Sequence, residues 1–537
     1  MAQSNLSWTL VATSVAVLGA VLVSKYLAAV KDPREPPYVP SSIPLVGHLI
    51  HLLREGAEYL SVIDRKYHHG IYTIPIFSQR LYVVNSPSWV VTMHKSHKTL
   101  SFNVLVVQAM RVVFGFGADE AAMKATEDNA DNERGDRSGL LMETHDMMFG
   151  AFVQQIDELN ANFLKCWTPY VNALAPHGEV SMPLWYWLRH NFSIASVASL
   201  YGPESPLTLD PSLEDDFWTF EAGVGSLFIT PWPSILLRKV YKARQRIFDA
   251  LRVYAENEGY KRPGTSRLVQ ARVEMTMGKY GLSKPLYGAG ETGLFFAALV
   301  NTAGSTFWLL SHILADPVLH AEIRAEIDEC VSKRDGTCVI DIAKLKAQCP
   351  LLNSAIRENL RITATMNINR LVKEETLMTN QSTGETFLLK KNSGLSVAAN
   401  VMHFQPEIWG EDAAVFNARR FLPTIERARS DATDGKAVDI AATFRDGKGK
   451  LHSGAFRSFG GGNNVCPGRQ FAQTEMQSVV ALLVAGFEID MAGGGQYVPP
   501  PFRPIEVVAG MRQPARDVQV KVKRREGYEN VEWVCEM

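Results

Sequence analysis

A glycine-rich stretch late in the chain contains the residue with the clearest chemical potential, Cys466. The stretch fits the pattern F-x-x-G-x-x-x-C-x-G, with Phe459, Gly462, Cys466 and Gly468 in the required places. Glycines around a cysteine let the backbone curl close to the sulfur, and backbone N–H groups can then moderate the charge of a thiolate. A thiolate that is held rigidly and shielded in this way is a ligand for heme iron. The pattern therefore predicts a heme-thiolate site, with Phe459 as an apolar lid beside the ligand.

Two other interpretations of this loop are weaker. A free cysteine is often only a small buried hydrophobe. A phosphate-binding loop would carry G-x-x-x-x-G-K-[ST], which the segment lacks. The residues after the cysteine favour heme, because they predict a helix whose apolar face would lie against the ring. That face consists of Ala472, Met476, Val479, Val480 and Leu483.

The composition excludes several classes of protein. With 537 residues, 46% hydrophobic and 21% charged, the chain can form a sizeable core and is not globally disordered. Its 55 basic and 56 acidic residues give a net charge of -1, which argues against a nucleic-acid partner. Six cysteines without a C-x-x-C pair indicate neither a disulfide scaffold nor a structural zinc site. Reduced thiols suit a protein that faces the cytosol.

The N-terminal segment predicts a membrane anchor. Residues 6–23 carry no charge, and about 20 helical residues span a bilayer core. Lys25, Lys31 and Arg34 follow this segment, so the positive-inside rule places the bulk of the chain in the cytoplasm. A cleaved signal peptide is the alternative, but the segment lacks a basic start. We expect one uncleaved transmembrane helix within residues 1–30.

The remainder predicts one large, mainly α domain with small β-sheets, an α+β unit, at residues 48–537. A proline-rich spacer at residues 31–47 would hold this domain at a set distance from the bilayer. A polar loop at 119–137 and a polar stretch at 426–450 are expected to be insertions rather than linkers. Periodicity predicts helices at 157–167, 240–258, 291–315, 321–333 and 345–360, and strands at 70–76, 81–84, 371–374 and 518–522.

With these motifs in place, the sequence resembles the cytochrome P-450 superfamily. Glu358 and Arg361 form an E-x-x-R, which alone would be an ordinary i,i+3 surface pair. The resemblance implies that they form a buried cluster with Arg420, and that Arg370 pairs with a heme propionate. It also implies the cytochrome P-450 fold, heme b as cofactor, O2 as co-substrate, and electrons from NADPH through an NADPH-cytochrome reductase. Cytochrome b5 is a further candidate donor.

The chain departs from the family pattern near the expected propionates. The position two residues before the cysteine, commonly basic in the family, is Asn464. The region of the family's third helix has no W-x-x-x-R, and His145 is the candidate cation there. The family's usual proline in the segment before Arg420 is Ala418.

The apolar stretch at 293–317 resembles the family's long central helix. The family usually places an acid and an alcohol there for proton delivery to dioxygen, but this chain has Val300 and Asn301. The resemblance implies catalytic roles for Asn301 and Thr302. It places Ala298 beside the heme, and Phe296 with Ala297 in the substrate pocket.

An asparagine at this position resembles the branch that contains sterol 7α- and 12α-hydroxylases and prostacyclin synthase. We therefore expect a monooxygenase that oxidises a lipophilic small molecule, such as a sterol, a terpenoid or another secondary metabolite. A reductase-independent heme isomerase or dehydratase of the prostacyclin synthase type stays open, because Asn301 relays a proton less readily than Thr with Asp. A non-catalytic heme-binding sensor is a weaker alternative. The resemblance implies a single-pass protein of the endoplasmic reticulum membrane.

Two surface segments predict contacts with partners. Residues 225–237 are apolar and precede five cations, which suits an anionic membrane surface. The resemblance implies that this region forms the lid over the substrate channel and dips into the membrane. The cations are Arg238, Lys239, Lys242, Arg244 and Arg246. Residues 419–469 hold ten Arg or Lys and five acids, which favours docking of an acidic electron donor. A solvated insertion explains residues 434–450 equally well.

Overall fold

The computed structural model describes residues 18–19, 32–41, 46–77, 79–364, 366–431, 444–503 and 510–537. The anchor expected within residues 1–30 lies outside these ranges, apart from Leu18 and Gly19, which are helical. Among the described helices, one has the length and apolar composition to span a bilayer, Lys284–Leu314. Because 72% of the most apolar stretch of this helix is buried inside the protein, the helix belongs to the core.

Helices make up most of the described structure. The α-helices are Leu49–Glu55, Glu58–Tyr67, Pro87–Lys95, Asn103–Val112, Glu120–Glu127, Leu140–Gln154, Ile156–Asn172, Leu184–Tyr201, Pro206–Leu209, Leu213–Ile229, Pro233–Leu236, Arg238–Glu256, Arg267–Val273, Lys284–Leu314, Pro317–Asp328, Ile342–Gln348, Pro350–Thr363, Ala399–Met402, Pro406–Trp409, Leu422–Asp431 and Arg469–Gly486. Short 3-10 turns are Phe116–Ala118, Gly259–Lys261 and Gly462–Asn464, and Glu274–Lys279 is a π-helical turn.

Short strands form small sheets around the helices. The strands are β1 Ile71–Ile76, β2 Gln79–Val84, β3 Leu100–Ser101, β4 Val180–Pro183, β5 Val331–Arg334, β6 Thr337–Asp341, β7 Ile368–Val372, β8 Thr376–Thr379, β9 Thr386–Leu389, β10 Gly394–Val397, β11 Phe487–Met491, β12 Gln519–Arg524 and β13 Glu532–Glu536. The largest sheet has the order β1-β2-β10-β7-β3, in which β10 is parallel to β2. The others are β11-β12-β4, β13-β6-β5 and the hairpin β8-β9.

Two helices form the centre of the molecule. We call Lys284–Leu314 the central helix and Arg469–Gly486 the proximal helix, and the two pack against each other. The central helix is apolar on all sides, as expected of a helix enclosed by protein. It ends before Asp316, whose side chain accepts hydrogen bonds from the backbone N–H groups of Val318 (3.0 Å) and Leu319 (3.1 Å) and so starts the next helix.

The structure confirms the expected mostly helical fold with small sheets, and it corrects three of the predicted elements. The helix expected at 345–360 is two helices, because Pro350 begins a new one after Cys349. The polar stretch at 119–137 contains the helix Glu120–Glu127, which the side chain of Asp119 caps at Ala122 N.

The third correction concerns the helix expected at 321–333. It ends at Asp328, and the chain then forms the antiparallel pair β5–β6. Asp335 and Gly336 make the two-residue turn with φ values of 47° and 80°. An Asp-Gly pair tolerates this left-handed backbone and is a common hairpin turn, so the hairpin ends the helical region.

Candidate active site

The Cys466 loop curls back on itself before the proximal helix. The Cys466 N–H donates to the carbonyl of Phe459 at 2.9 Å, and Gly460 and Gly462 adopt φ values of 74° and 62°. These left-handed conformations explain the glycines in the sequence pattern. Gly468 is the N-cap of the proximal helix. The loop therefore presents the half-buried Cys466 side chain at the start of a buried helix.

The surroundings of the Cys466 thiol act on its ionisation in opposite directions. Burial raises the pKa of the thiol, whereas the Gly468 backbone N–H and the Arg469 charge lower it. Desolvation is the larger influence, so the thiolate needs a further positive partner. A bound metal cation would supply that partner. Among the described residues, no three His, Cys, Asp or Glu side chains converge as a metal site.

Glu358, Arg361 and Arg420 form a buried ion cluster behind this loop. Arg361 Nη2 and Nε donate to Glu358 Oε1 and Oε2 at 2.7 and 2.8 Å, and both side chains are fully buried. Arg420 Nε donates to the same Oε1 at 3.0 Å, and its Nη1 donates to Asp412 Oδ1 at 2.8 Å. The structure thus brings together all three residues of the predicted cluster. It is not a surface i,i+3 pair.

His403 connects this cluster to the Cys466 loop. Arg361 Nη1 donates to the His403 carbonyl, and the Arg457 backbone N–H donates to His403 Nε2 at 3.0 Å. The hydroxyl of Ser458 donates to the carbonyl of Leu360 at 2.9 Å. The chain leading to the cysteine is therefore fixed from the helix that carries the E-x-x-R. Sequence reasoning identified no role for His403, because no spacing rule links it to Arg457.

One face of the otherwise buried central helix borders open space. Ala297 is exposed, while Phe296, Ala298 and Asn301 are half-buried. Ala297 and Asn301 are one helical turn apart and share a face. Because the helix lies in the core, this exposure marks an internal cavity or channel. Thr302, one position further, is buried, and its carbonyl accepts from Thr306 Oγ1 at 2.8 Å.

Segments from the C-terminal part of the chain pack on this helix. Oδ1 of Asn301 is buried without a hydrogen-bond partner in the described structure, and it lies against Gly510, where an added Cβ would clash with it. Gln513 Nε2 donates to the carbonyl of Val300 at 3.3 Å, and Gly304 packs on the same side chain. Neither Gly510 nor Gln513 belongs to a sequence motif, and both were missed by sequence reasoning.

Cationic side chains gather on the other side of the Cys466 loop. Arg370 is buried, and its Nη2 donates to Asn464 Oδ1 at 3.0 Å. His94 and Arg457 lie against Gly461. Burial lowers the pKa of both Arg370 and Arg457 to about 10, and the pKa of His94 to about 4. Asn464 thus binds an arginine from strand β7 at the position where the family pattern has a base.

The other predicted cations have different surroundings. The ring Nε2 of His145 lies 3.2 Å from the carbonyl of Asn463, so His145 does reach the Cys466 loop. Arg244 does not belong to a basic surface, because it is buried and donates to the carbonyls of Val112 and Val113 at 3.0 and 3.1 Å. The basic excess of residues 419–469 is also smaller at the surface than expected. Arg420 and Arg457 are buried, and Arg419 is paired with Glu322.

These features fit a porphyrin-bound iron with one protein ligand: a thiol loop on a rigid support, a cavity along a core helix, and buried cations beside the loop. The family model for cytochrome P450 matches residues 224–520, more than half of the chain. The chain belongs to the cytochrome P450 family. It is an oxidoreductase with monooxygenase relatives, as the resemblance indicated.

Curated P450s align with nearly the whole chain. A cytochrome P450 monooxygenase of Gibberella zeae (strain PH-1) is 30% identical over 95% of this P450 and 93% of the relative. A cytochrome P450 monooxygenase of Hypoxylon pulicicidum is 26% identical over 94% of this chain and 93% of its own. The human 7-alpha-hydroxycholest-4-en-3-one 12-alpha-hydroxylase is 24% identical over 94% and 98%, respectively. The resemblance to sterol hydroxylases is therefore confirmed.

Proposed function

We propose that this P450 is a membrane-anchored monooxygenase that oxidises a sterol, terpenoid or similar lipophilic metabolite with O2 and electrons delivered from NADPH by a reductase. The observation that carries the proposal is the combination of a supported Cys466 loop with an open face at Ala297 and Asn301 in the central helix. A cavity lined by apolar side chains with few polar groups suits such a substrate. The fungal monooxygenases among the relatives support the reaction, and the human 12-alpha-hydroxylase supports a sterol-like substrate.

Cys466 is the residue that would bind the iron of heme b. A heme-thiolate supplies the activation of dioxygen, because the thiolate pushes electron density that favours O–O cleavage. The residues of this chain hold and shield that ligand. The Gly468 N–H would moderate the thiolate, Phe459 is proposed to shield it, and the left-handed backbone of Gly462 allows the turn that brings it into place. Ala298, half-buried on the open face of the central helix, would border the porphyrin.

Asn301 is the proposed organiser of proton delivery. Its amide offers both a donor and an acceptor, and Asn301 is half-buried on the open face of the central helix, so the side chain can bind a water molecule from the cavity. Thr302 would assist from the next helical position. The proton then travels through ordered water rather than through a carboxylic acid.

The proposed substrate pocket is aromatic. Phe296 packs edge to face on Phe220, with ring centroids 6.2 Å apart. Gly293 lies beside Phe114, whose ring is 3.7 Å from the position of an added Cβ. Ala297, next to Phe296 on the central helix, is exposed to the open space. Flat, apolar molecules would therefore be accepted over charged ones.

Membrane contact is proposed at two places. The first is the anchor at residues 1–30, connected by the spacer at 31–47 to the catalytic domain at 48–537. The second is an apolar patch, exposed on the surface and followed by the exposed cations Arg238, Lys239 and Lys242, which suit an anionic bilayer. The patch consists of Ile229, Trp232, Ile235 and Leu236, which are 68%, 73%, 73% and 59% exposed. We therefore propose a location at the endoplasmic reticulum membrane, with the catalytic domain in the cytoplasm.

The electron donor is proposed to be an NADPH-cytochrome reductase, with cytochrome b5 as a further donor. Lys448 and Lys450 are exposed between the E-x-x-R cluster and the Cys466 loop in sequence, and they can contribute to an acidic partner's docking site. These cations are fewer than the sequence suggested. Docking is therefore expected to be weak and sensitive to salt.

A specific observation keeps a second function in view. The position of the usual acid is Val300 and that of the alcohol is Asn301, so the helix lacks the usual proton relay. An isomerase or dehydratase acting on a peroxide needs neither that relay nor a reductase. A heme sensor without catalysis is the third and weaker candidate.

One experiment separates these functions. The full chain in lipid nanodiscs, with a reductase, is incubated with a panel of sterols and terpenoids, with and without NADPH, and products are identified by mass spectrometry. A monooxygenase forms a product one oxygen heavier only when NADPH is present, and it consumes NADPH in proportion. A rearranged product from a peroxide without NADPH would replace the proposal with the isomerase. Heme binding without any product would favour the sensor.

A further inference from the structure

Two buried arginines beside the Cys466 loop have no acidic partner among the described residues. Arg370 and Arg457 are 6% and 5% exposed, and neither forms an ion pair there. Arg370 Nη1 and Nη2 donate to Asn369 O and Asn464 Oδ1, and Arg457 Nε donates to Phe456 O at 2.8 Å. The hydrogen bonds described for Arg457 therefore leave its Nη1 and Nη2 groups available.

His94 lies beside Arg457 at Gly461 and is close enough to Arg370 to feel its charge. Its Nε2 is buried without a hydrogen-bond partner in the described structure, and burial with the nearby Arg457 and Arg370 charges keeps the ring neutral. A Cβ added at Gly461 would clash with Nη1 of Arg457 and would lie 2.9 Å from Cε1 of His94. The absence of a side chain at Gly461 is what lets both groups approach the Cys466 loop.

The neighbouring acid cannot neutralise this cluster. Asp131 is close enough to influence Arg370, but it accepts hydrogen bonds from Ser101 Oγ at 2.7 Å and from Lys373 Nζ at 2.9 Å. Two buried charges without a counterion cost several kcal/mol each, so the cluster requires an anion. Heme b carries two propionate carboxylates, which match the two guanidinium groups in charge.

We propose that Arg457 and His94 bind one heme propionate and that Arg370 with Asn464 binds the other. Arg457 and His94 then take the role of the basic residue that the family commonly has at the position of Asn464. This inference rests on the proposed heme site. Arg457 donates to the carboxylate through Nη1 or Nη2, and the neutral His94 ring donates through Nε2. The backbone of Arg457 is itself held by His403, so its side chain projects from a fixed point. A basic residue at position 464, seven residues after Arg457, is then unnecessary.

The test compares holoenzymes that differ at this cluster. Arg457→Leu removes the charge, Arg457→Lys keeps it, and His94→Phe keeps the ring while removing its nitrogens. Arg334→Leu, an exposed position in strand β5, is the matched control for loss of one arginine. The readouts are the rate of heme transfer to apomyoglobin and the propionate-bending bands in resonance Raman spectra. A purely structural role of Arg457 would leave those bands in place.

We expect Arg457→Leu to lose heme about tenfold faster than wild type, which is the size expected for a lost charge-assisted hydrogen bond. Its propionate bands should shift, and the reduced, carbon-monoxide-bound protein should keep its thiolate spectrum. Arg457→Lys and His94→Phe should lose heme at rates between those of wild type and Arg457→Leu. Their propionate-bending bands should also shift.

Unshifted bands, with heme loss equal to that of Arg334→Leu, would overturn the assignment. If Arg457→Leu fails to fold, unshifted bands in both Arg457→Lys and His94→Phe would overturn it as well. Failure of the proposed heme site itself is distinct, because it would appear in the wild-type protein as absence of bound heme or of the thiolate spectrum.

Discussion

The imidazole Nε2 of His403 accepts a hydrogen bond from the backbone N–H of Arg457 at 3.0 Å, while the His403 carbonyl accepts one from Arg361. One residue thereby joins the buried ion cluster to the loop that presents Cys466. The contact requires a neutral ring, because a protonated imidazole has no acceptor nitrogen. Burial, with the nearby Arg361 charge, lowers the pKa of His403 to about 3.

The free energy of unfolding should decrease at acidic pH, because protonation of His403 removes this hydrogen bond. The pKa of His403 in the folded state is below the usual value of about 6.5, so its contribution is complete above pH 6.5 and is lost as the pH falls toward 3. The loss is about 1.4 kcal/mol per pH unit in that window. His403→Gln keeps an acceptor for Arg457 and cannot titrate. The free energy of unfolding from urea titrations of the holoenzyme should therefore depend less steeply on pH in this variant.

Met402→Leu is the control for a conservative change at a buried neighbour, and its pH dependence should match wild type. Equal slopes in His403→Gln and wild type between pH 7.5 and 5.5 would show that His403 does not limit acid stability. Burial also lowers the pKa of His312 and His320 to about 4, so part of the acid sensitivity should remain in the variant.

Removing the carboxylate of the ion cluster should prevent assembly of the holoenzyme. Glu358→Gln preserves volume but leaves the fully buried Arg361 without a carboxylate partner, while Arg420 keeps only Asp412, at a cost of about 3–5 kcal/mol. The yield of folded, heme-bound protein should drop sharply. Glu258→Gln is the matched control, because Glu258 and Lys261 form an i,i+3 pair at 2.6 Å that is exposed to solvent. Similar yields of the two variants would contradict a structural role for the cluster.

Cys466→Ser should abolish the heme-thiolate spectrum. A serine hydroxyl is a poor replacement for a thiolate as the axial ligand, and no other cysteine of the sequence lies in the F-x-x-G-x-x-x-C-x-G pattern. The measurement is the absorption of the reduced protein with carbon monoxide. Cys535→Ser, in strand β13, should keep the wild-type spectrum. A thiolate spectrum in Cys466→Ser would assign the ligand to another cysteine.

Asn301→Leu should uncouple electron supply from product formation. The substitution keeps the volume and removes the amide that would hold water, so reduced oxygen should leave as peroxide. Using a substrate identified with the metabolite panel, we expect the ratio of product to NADPH consumed to fall about tenfold, or about 1.4 kcal/mol. The same ratio in wild type and Asn301→Leu would remove Asn301 from the mechanism.

A second pair of variants tests Asn301 without changing it. Gly510→Ala should displace the Asn301 side chain, because an added Cβ would clash with Oδ1, and coupling should fall as well. Gly278→Ala, in the π-helical turn Glu274–Lys279, adds a methyl group with no other heavy atom within 4 Å, and it should leave coupling nearly unchanged. Equal coupling in both variants would argue against a role for the Asn301 orientation.

Deleting residues 1–30 should release most of the protein from membranes and leave heme incorporation intact. Residual binding to vesicles of phosphatidylcholine and phosphatidylserine should persist through the exposed patch at Ile229, Trp232, Ile235 and Leu236. Adding Trp232→Asp should remove that binding in a flotation assay. Val318→Asp, at another exposed apolar position, is the control and should not. Loss of heme from the truncated protein would mean that its N-terminal segment supports the core.

The sequence predicted the fold and several parts of the site because these depend on local patterns. The Cys466 loop is a contiguous motif with glycines at fixed spacing, and the central helix is a long apolar segment. The hairpin at Asp335 and Gly336 had a readable turn signal that was overlooked. Pro350 likewise marked the start of a new helix.

The remaining site residues could not be predicted, since they meet only in three dimensions. His94, His403 and Arg457 lie in three separate segments, and no spacing rule relates a helix near residue 90 to a loop near residue 460. Gly510 acquires a role only because it packs on Asn301. Arg244 was misassigned because a run of cations does not reveal which one turns inward, toward the carbonyls of Val112 and Val113.

The five-stranded sheet has a consequence for the order in which the protein is built. Strand β10 pairs in parallel with β2 through Gly394 and Leu81, and β7, which carries Arg370, pairs with β10. The pairing of β2 with β10 closes a long loop, which is the whole chain between the two strands. Closing a loop of this length costs little extra free energy, but it slows folding. Ribosomes must have synthesised most of the domain before this pairing can form, and the cation cluster at Arg370 is complete only afterwards. In the cell, the cofactor is therefore expected to bind late in folding, to chains that have already closed this sheet. Its binding then stabilises these chains by mass action.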